Sequence, residues 1–230
     1  MRFLQNVMGL VLLSVSASPC FGQGTFQDLD FESPILPLVP SVPLTNAFPG
    51  WLGYVGTNQV SRVRIDGVNL DVATLALIRT TLVAYPTPLI QGNYTAVLQP
   101  QRDPNDIPSG SLVPVALLQS GMVPSGSKSL QFKGYTAGTP FAVSLGGVNI
   151  PVFNLESFPD YTLYGGDISA FAGSIAELRF TAFPDNYPHS TVFALDSIEF
   201  SIQPIPEPGT VALFGLGALL LGWCFLCKRP

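Results

Sequence analysis

The stretch FAVSLGGVNIPVF, residues 141–153, decides the class of fold. Two short runs rich in β-branched and aromatic side chains flank Gly146 and Gly147, and paired glycines accept the positive φ angles of a tight hairpin turn. The pattern predicts two strands, at 141–145 and 148–153, joined by that turn.

Similar runs predict nine further strands in the rest of the chain. They are short, closely spaced and separated by Gly, Pro, Asn and Asp, as in β-sandwiches and jelly rolls. They occupy residues 51–55, 60–65, 73–78, 94–99, 113–120, 128–132, 161–165, 176–183 and 192–202. The composition agrees, with 22 Gly, 22 Pro and only 11% charged residues. We therefore expect an all-β domain of the β-sandwich or jelly-roll type.

Two segments near the start of this domain carry distinct patterns. FQDLDFESP, residues 26–34, alternates in polarity and predicts a half-buried first strand with Leu29 and Phe31 on one face. PILPLVPSVP, residues 34–43, has a proline at every third position, which is the period of polyproline II. Its intervening apolar residues favour a rigid connection across the domain over a recognition ligand.

One late segment predicts a helical turn. In YGGDISAFAGSIAELRF, residues 164–180, Asp167 or Ser169 is expected to cap a single turn that runs through Phe171 and ends at Gly173.

Both ends of the chain are accessory segments. Residues 1–22 combine a basic start at Arg2 with an apolar run and small residues, which predicts a signal peptide that signal peptidase removes. At the other end, residues 210–227 carry no charge and would rise about 27 Å as a helix, enough to cross a bilayer. Lys228 and Arg229 follow, and this basic flank is expected to stay in the cytoplasm.

The motif Pro206, Glu207, Pro208 stands directly before the apolar run. Its order with the apolar run and the basic tail resembles the PEP-CTERM sorting signal of exported bacterial proteins, which implies recognition and processing by the membrane enzyme exosortase. The alternative is an ordinary membrane anchor in which Pro206 and Pro208 end the preceding strand. The organisation implied is a signal peptide at 1–22, an exported β-sandwich at 23–203 and a sorting signal at 204–230. Within that signal, 206–208 is the motif, 210–227 the transmembrane helix and 228–230 the basic tail.

Charge and cysteine content narrow the partners of the exported domain. Without Arg2, Lys228 and Arg229, seven basic residues remain against all fifteen acids of the chain, a balance of about −8, so nucleic acid is not an expected partner. Cys224 and Cys227 lie in the apolar tail, so the domain has no disulfide and depends on core packing or a bound metal.

The domain also resembles jelly-roll modules of the galactose-binding and carbohydrate-binding type. The resemblance rests on residues 167–173, on DFE at 30–32 and on LDSIEF at 195–200. It implies a structural calcium ion shared by Asp30 or Glu32 and Asp196. From the residues alone, alternation with Ile198 would place Asp196 on the core face, where a carboxylate needs a partner. A bulge that turns it outward, or hydrogen bonds to turn amides, are the alternatives.

Sites for ligands or catalysis are less well defined. Trp51 and Tyr54 could stack on sugars, although large aromatic residues such as Trp51 usually lie in a core. His189, the single histidine, sits in a loop composition, and no spacing favours a catalytic pair among Glu156, Asp160 and Glu177. We expect a non-enzymatic envelope or matrix protein, and the resemblance to PEP-CTERM proteins implies a link to exopolysaccharide or biofilm. A surface glycoside-active enzyme and a membrane-tethered adhesion domain are the alternatives.

Overall fold

The computed structural model describes residues 24–205 except 38, 70, 83–86, 107–109 and 186–190. This part of the chain contains one short helix, α1 (Leu44–Ala47), and a 3₁₀ turn at Ser169–Phe171. The strands are β1 (Ser41–Pro43), β2 (Leu52–Val55), β3 (Asn58–Val60), β4 (Arg62–Ile65), β5 (Thr74–Ile78), β6 (Thr95–Gln99), β7 (Gln101–Arg102), β8 (Leu112–Val113), β9 (Val115–Met122), β10 (Ser129–Thr136), β11 (Phe141–Leu145), β12 (Val148–Ile150), β13 (Phe153–Ser157), β14 (Thr162–Asp167), β15 (Ile175–Ala182) and β16 (Phe193–Ser201).

Two large sheets form a sandwich, which confirms the all-β prediction. The eight-stranded sheet has the order β1-β4-β5-β6-β16-β10-β14-β13, and the six-stranded sheet has the order β12-β11-β15-β9-β2-β3. The pair β4–β5 is parallel, and the other ladders of the two large sheets within the described residues are antiparallel. Strands β7 and β8 form a separate small pair.

The space between the sheets is filled by one apolar core with an aromatic centre. Phe132 of β10 is fully buried there. Its ring centroid lies 5.1 to 6.4 Å from those of Phe141, Tyr164, Phe180 and Phe193, which come from both sheets.

A second, smaller cluster covers the outer face of the eight-stranded sheet. Ala76, Val97 and Ala194 form a row across β5, β6 and β16, and Leu82 and Ile90 pack against their cluster from the β5–β6 connection. Strands β5 and β6 are therefore buried at every position, which explains their continuous apolar character.

Three of the predicted strands are interrupted, so that each of them forms two strands in the structure. Pro114 separates β8 from β9 and Pro151 separates β12 from β13, because proline has no N–H for the ladder and fixes its own φ. Between β3 and β4 a single residue, Ser61, carries the chain from the six-stranded to the eight-stranded sheet.

The predicted first strand at 26–34 is wrong. Asp28 and Phe31 have φ angles of 49° and 57°, which turn the chain and carry Phe31 into the core. The following proline-rich segment forms no helix or strand in its described residues up to Pro40, but its last three residues, predicted as part of the connection, form β1. The backbone N–H of Ile35 donates to Asn46 O at 2.7 Å.

Both predicted turns are present, although the N-cap residue of the helical turn is Ile168, not Asp167 or Ser169, and this turn has no side-chain cap. Gly146 and Gly147 have φ angles of 59° and 79° and join β11 to β12. Asp167 Oδ1 accepts the backbone N–H of Ser169 at 2.8 Å at the start of the 3₁₀ turn, and Gly173 follows with a φ of 74°. The hydrogen bond from the Ser169 backbone lowers the pKa of Asp167 because it stabilises the charged carboxylate.

The predicted signal peptide, the motif at 206–208, the apolar run at 210–227 and the basic tail lie outside the described residues. Among the residues that are described, no helix is long and apolar enough to cross a membrane.

Candidate functional site

Asp196 is a buried carboxyl group in the last strand, and its side chain points away from the main core. Leu195 belongs to that core, so the pleat turns Asp196 to the opposite face. Ser197 follows with a φ of 47°, and the register between β16 and β10 shifts here. This bulge returns Ile198 to the main core. The prediction that Asp196 shares the face of Ile198 is therefore wrong, because the bulge adds one residue to the alternation.

Four hydrogen bonds from protein donors hold the Asp196 carboxyl, which is 1% exposed. Oδ2 accepts the backbone N–H of Gln91 at 3.2 Å and the hydroxyl of Thr95 at 2.9 Å. Oδ1 accepts the backbone N–H of Ser197 at 2.7 Å and its hydroxyl at 3.3 Å. Burial nevertheless raises the pKa of Asp196 to about 7, because the loss of water outweighs these hydrogen bonds to the charged form.

Glu32 holds the same turn from the N-terminal segment. Its Oε1 accepts the backbone N–H groups of Asn93 at 2.7 Å and Tyr94 at 3.0 Å, and its Oε2 accepts the Asn93 amide at 2.8 Å. Gly92 permits this approach, because its φ is 62° and a Cβ would lie 2.2 Å from Oε1 of Glu32. Glu32, near the start of the domain, and Asp196, in its last strand, thus both accept hydrogen bonds from the turn at 91–95, each from different donors.

The calcium site assigned to Asp30, Glu32 and Asp196 stays a prediction. Within the described ranges of the chain, no three His, Cys, Asp or Glu side chains are grouped so that they could hold a metal ion. Asp30 is exposed, and its Oδ1 accepts the backbone N–H of Glu32 at 3.4 Å. A cation would have to displace the turn amides that now donate to Glu32 and Asp196.

Trp51 is a core residue, which corrects its predicted role as a stacking platform. It is 1% exposed, and its indole N–H donates to the carbonyl oxygen of Asp28 at 3.2 Å. The turn at 28–31 closes over it, and the rings of Trp51 and Phe31 lie 5.7 Å apart. Tyr54 is half-buried, with the guanidinium of Arg179 5.7 Å from its ring centroid, and its stacking role stays a prediction.

An aromatic pair that the sequence analysis did not identify lies at the tip of the β13–β14 hairpin. Phe158 and Tyr161 stack with centroids 4.6 Å apart, and the backbone N–H of Phe158 donates to Tyr161 O at 2.8 Å across the turn. Lys133 Nζ lies 5.2 Å from the Tyr161 ring centroid. The aromatic residues at both ends of the turn sequence FPDY were the available signal.

A pocket of about 590 Å³ lies beside the β2–β3 hairpin. Its lining includes Val55, Gln59, Val60, Arg62, Pro104 and Asn105. The Nε of Arg62 donates to Ser41 Oγ at 3.3 Å and its Nη2 donates to Ser41 O, which fixes the direction of the guanidinium. The pocket thus presents amide and guanidinium groups beside apolar residues.

The carboxylates considered for catalysis are dispersed. Glu156 lies on β13 of the eight-stranded sheet, and Asp160 lies in the turn after it. Glu177 lies on β15 of the six-stranded sheet, where its Oε1 accepts Arg179 Nε at 3.0 Å. His189 lies outside the described residues.

The end of the described chain is tied to the sandwich. The hydroxyl of Ser129 donates to the carbonyl oxygen of Gln203 at 2.7 Å, and the Gln203 N–H donates to Ser201 Oγ at 3.1 Å. Ile205 lies over Gly165, where a Cβ would approach its Cδ1 to 2.6 Å. These contacts hold residues 203 and 205 against the sandwich.

Comparison with protein families identifies the C-terminal segment. Residues 204–229 match the model of the PEP-CTERM protein-sorting motif. The chain therefore carries a PEP-CTERM sorting motif at its C-terminus, as its sequence predicted. The match covers only this segment and assigns nothing to the sandwich.

Comparison with solved structures gives two distant likenesses. One is TmCBM61 in complex with beta-1,4-galactotriose, with a TM-score of 0.44 and 9% identity over 77% of this chain and 97% of that chain. The other is the enzymatically active domain of bacteriophage CBA120 tailspike protein 4, with a TM-score of 0.37 and 13% identity over 65% of this chain and 19% of that chain. At these values neither likeness supports an assignment of function. No curated protein matched the chain.

Proposed function

We propose that the chain is an exported protein of the bacterial cell envelope that exosortase processes at its C-terminal signal. Its β-sandwich is a non-catalytic module that makes weak contacts with extracellular polysaccharide in the surface or biofilm matrix. Signal peptidase removes residues 1–22, the segment 210–227 crosses the inner membrane before processing, and the mature domain then reaches the outer surface or the matrix.

The match of residues 204–229 to the sorting motif carries this proposal. The position of the matched segment directly after β16 also supports the proposal, because only residues 202 and 203 separate this last strand from the segment. The signal is thus joined directly to a folded cargo.

Replacing Glu207 by alanine is expected to block processing. In a host that has the matching exosortase, mass spectrometry of the native protein should show a C-terminus shortened near the motif, whereas Glu207→Ala should retain Pro230. The physical reason is that Glu207 is the one charged group in the motif.

Glu199→Ala is the matched control for this experiment. Glu199 is an exposed acid on β16 outside the motif, so its loss should leave processing unchanged. An intact tail on the native protein would favour the ordinary membrane anchor instead.

Two surfaces of the sandwich support the proposed contacts with polysaccharide. The exposed Phe158 ring can stack on the apolar face of a sugar, and the pocket beside Arg62 offers hydrogen-bonding groups to hydroxyls. Neither depends on the buried Trp51.

Binding on a glycan array should therefore weaken by about tenfold in Phe158→Ala or Arg62→Ala, since either loss removes on the order of 1.4 kcal/mol from one contact. Phe183→Ala and Arg64→Ala are the controls, because both residues are exposed but lie outside these surfaces.

A hydrolysis assay on the bound glycans tests the enzymatic alternative. Turnover that is lost in Glu156→Gln, Asp160→Asn or Glu177→Gln would replace the binding module with a glycoside-active enzyme.

A further inference from the structure

One end of the sandwich collects the turns from which the C-terminal tail leaves. We call it the tail end and define it by residues 122–128, 146–148, 168–175 and 202–205. The segment 123–128 joins β9 to β10, and 168–174 joins β14 to β15. Ser201 pairs with Ser129, which in turn pairs with Asp167, so the end of β16 lies among these turns.

The third turn of the tail end is the β11–β12 hairpin tip. The Gly146 N–H donates to Glu177 O at 2.8 Å, and a Cβ on Gly146 would lie 3.3 Å from the Phe171 ring. The hairpin tip thus touches the 3₁₀ turn and extends the same surface.

This surface exposes large apolar side chains. Met122 and Ile175 are direct cross-strand partners and are 40% and 51% exposed. Val148 beside the hairpin tip is 55% exposed, and Ile202 behind β16 is 66% exposed. Met122 and Ile175 thus form an adjacent exposed pair, and Val148 and Ile202 belong to neighbouring turns of the same end.

The tail end carries one lysine and one neighbouring acid. Its connecting segments are PSGSK at 124–128, GG at 146–147 and ISAFAGS at 168–174, in which Lys128 is the one charged residue, and the exposed Asp167 lies directly before the third segment. Connections at the opposite end, by contrast, contain Asp103, Asp106 and Asp185.

Both termini of the described domain reach this end. Met122 donates its backbone N–H to Gly24 O at 3.1 Å, and Thr25 forms a parallel bridge with Met122. Ile205 is five residues before Thr210, so at full extension about 17 Å separates it from the start of the apolar run. A bilayer that holds residues 210–227 must therefore lie close to the tail end.

We propose that the tail end seats on the lipid surface of the membrane while the chain still carries its C-terminal segment. Met122, Val148, Ile175 and Ile202 enter the headgroup boundary. The inference rests on the proposed function, since it takes 210–227 as the inserted segment.

The test places an environment-sensitive fluorophore on single cysteines of the full chain, in a background in which Cys20, Cys224 and Cys227 are alanine. The protein is reconstituted in vesicles of phosphatidylethanolamine and phosphatidylglycerol that contain a headgroup-nitroxide lipid. Labels at Val148→Cys and Ile175→Cys should lose most of their fluorescence, whereas labels at Leu112→Cys and Phe183→Cys should not.

A second arm separates seating from simple tethering. With the label at 148, Met122→Asp combined with Ile175→Asp should abolish quenching, because a charged carboxylate is costly to bury in the headgroup boundary. Leu52→Asp with Phe183→Asp is the control, since these positions are about equally exposed elsewhere. Near-ultraviolet circular dichroism checks folding, and Met122→Ser with Ile175→Ser replaces any variant that does not fold.

Three outcomes would overturn the inference: unquenched labels at 148 and 175, quenching that survives both aspartates, or quenching that requires co-reconstituted exosortase. The last would make the tail end a protein-binding surface. The sorting proposal is judged separately by the mass of the C-terminus, so either can fail alone.

Discussion

The free energy of unfolding should fall by about 3 kcal/mol between pH 4 and pH 7 because of Asp196 alone. The group has a folded pKa of about 7 and an unfolded value near that of an ordinary aspartate. Between these values the unfolded chain has lost the proton while the folded chain keeps it. Stability therefore decreases as pH rises, by at most about 1.4 kcal/mol per pH unit, and levels off above pH 7.

Urea denaturation of the detergent-solubilised chain at pH 4 to 8, followed by near-ultraviolet circular dichroism, measures this dependence. Asp196→Asn is the comparison, because an amide cannot ionise. It should be less stable at low pH, by about 1 to 3 kcal/mol, since one donor of the turn loses its acceptor. Its pH profile should lack the decrease, and parallel profiles for the two proteins would contradict the prediction.

The same pH dependence of stability distinguishes two alternatives for Asp196: a carboxylate that binds calcium, and a carboxyl group held only by hydrogen bonds. In the presence of a chelator the decrease should be present in full. If calcium binds Asp196, added calcium will hold the carboxylate charged and reverse the slope, so that stability rises with pH. An unchanged slope in calcium would count against the ion.

Phe132→Ala should remove about 3 to 5 kcal/mol from the free energy of unfolding, which is the usual cost of truncating a buried phenylalanine. Phe132 is fully buried, and the rings of Phe141 and Phe180 meet it edge-on at 6.1 and 5.1 Å. Because these rings come from the six-stranded sheet, the cavity would lie between the two sheets. A loss of this size is a large fraction of the stability of a typical domain.

Urea denaturation at a fixed pH measures the effect, and Phe183→Ala is the control. Phe183 is 40% exposed, so its truncation should change stability by only a few tenths of a kcal/mol. Equal losses in the two variants would show that Phe132 is not at the centre of the core.

Local sequence pattern was sufficient to predict the all-β class and most strand positions. The hairpin at Gly146 and Gly147 and the turn at Asp167 were also predictable, because their backbone geometry is set by residues within a few positions. The parallel pair β4–β5 and the sheet change at Ser61 depend on contacts distant in sequence, which no local pattern reports.

At the candidate site, too, features set by nearby residues were predictable and features set by distant contacts were not. Alternation failed at Asp196 because the bulge at Ser197 depends on pairing with β10, and it failed at 26–34 because Asp28 and Phe31 adopt positive φ. The sorting motif, in contrast, is a linear feature and was predictable in full from residues 204–230.

Strand β16 has a mechanical consequence for a domain held by its C-terminus. It is an interior strand, paired with β10 along most of its length and with β6 at its start, and residues 202–205 extend from it. A pull on the tail along the strand direction loads the hydrogen bonds of both ladders together, in shear, so that no single bond bears the force. Tension from the anchorage point is thereby spread into the middle of the eight-stranded sheet, where the chain is best able to resist it.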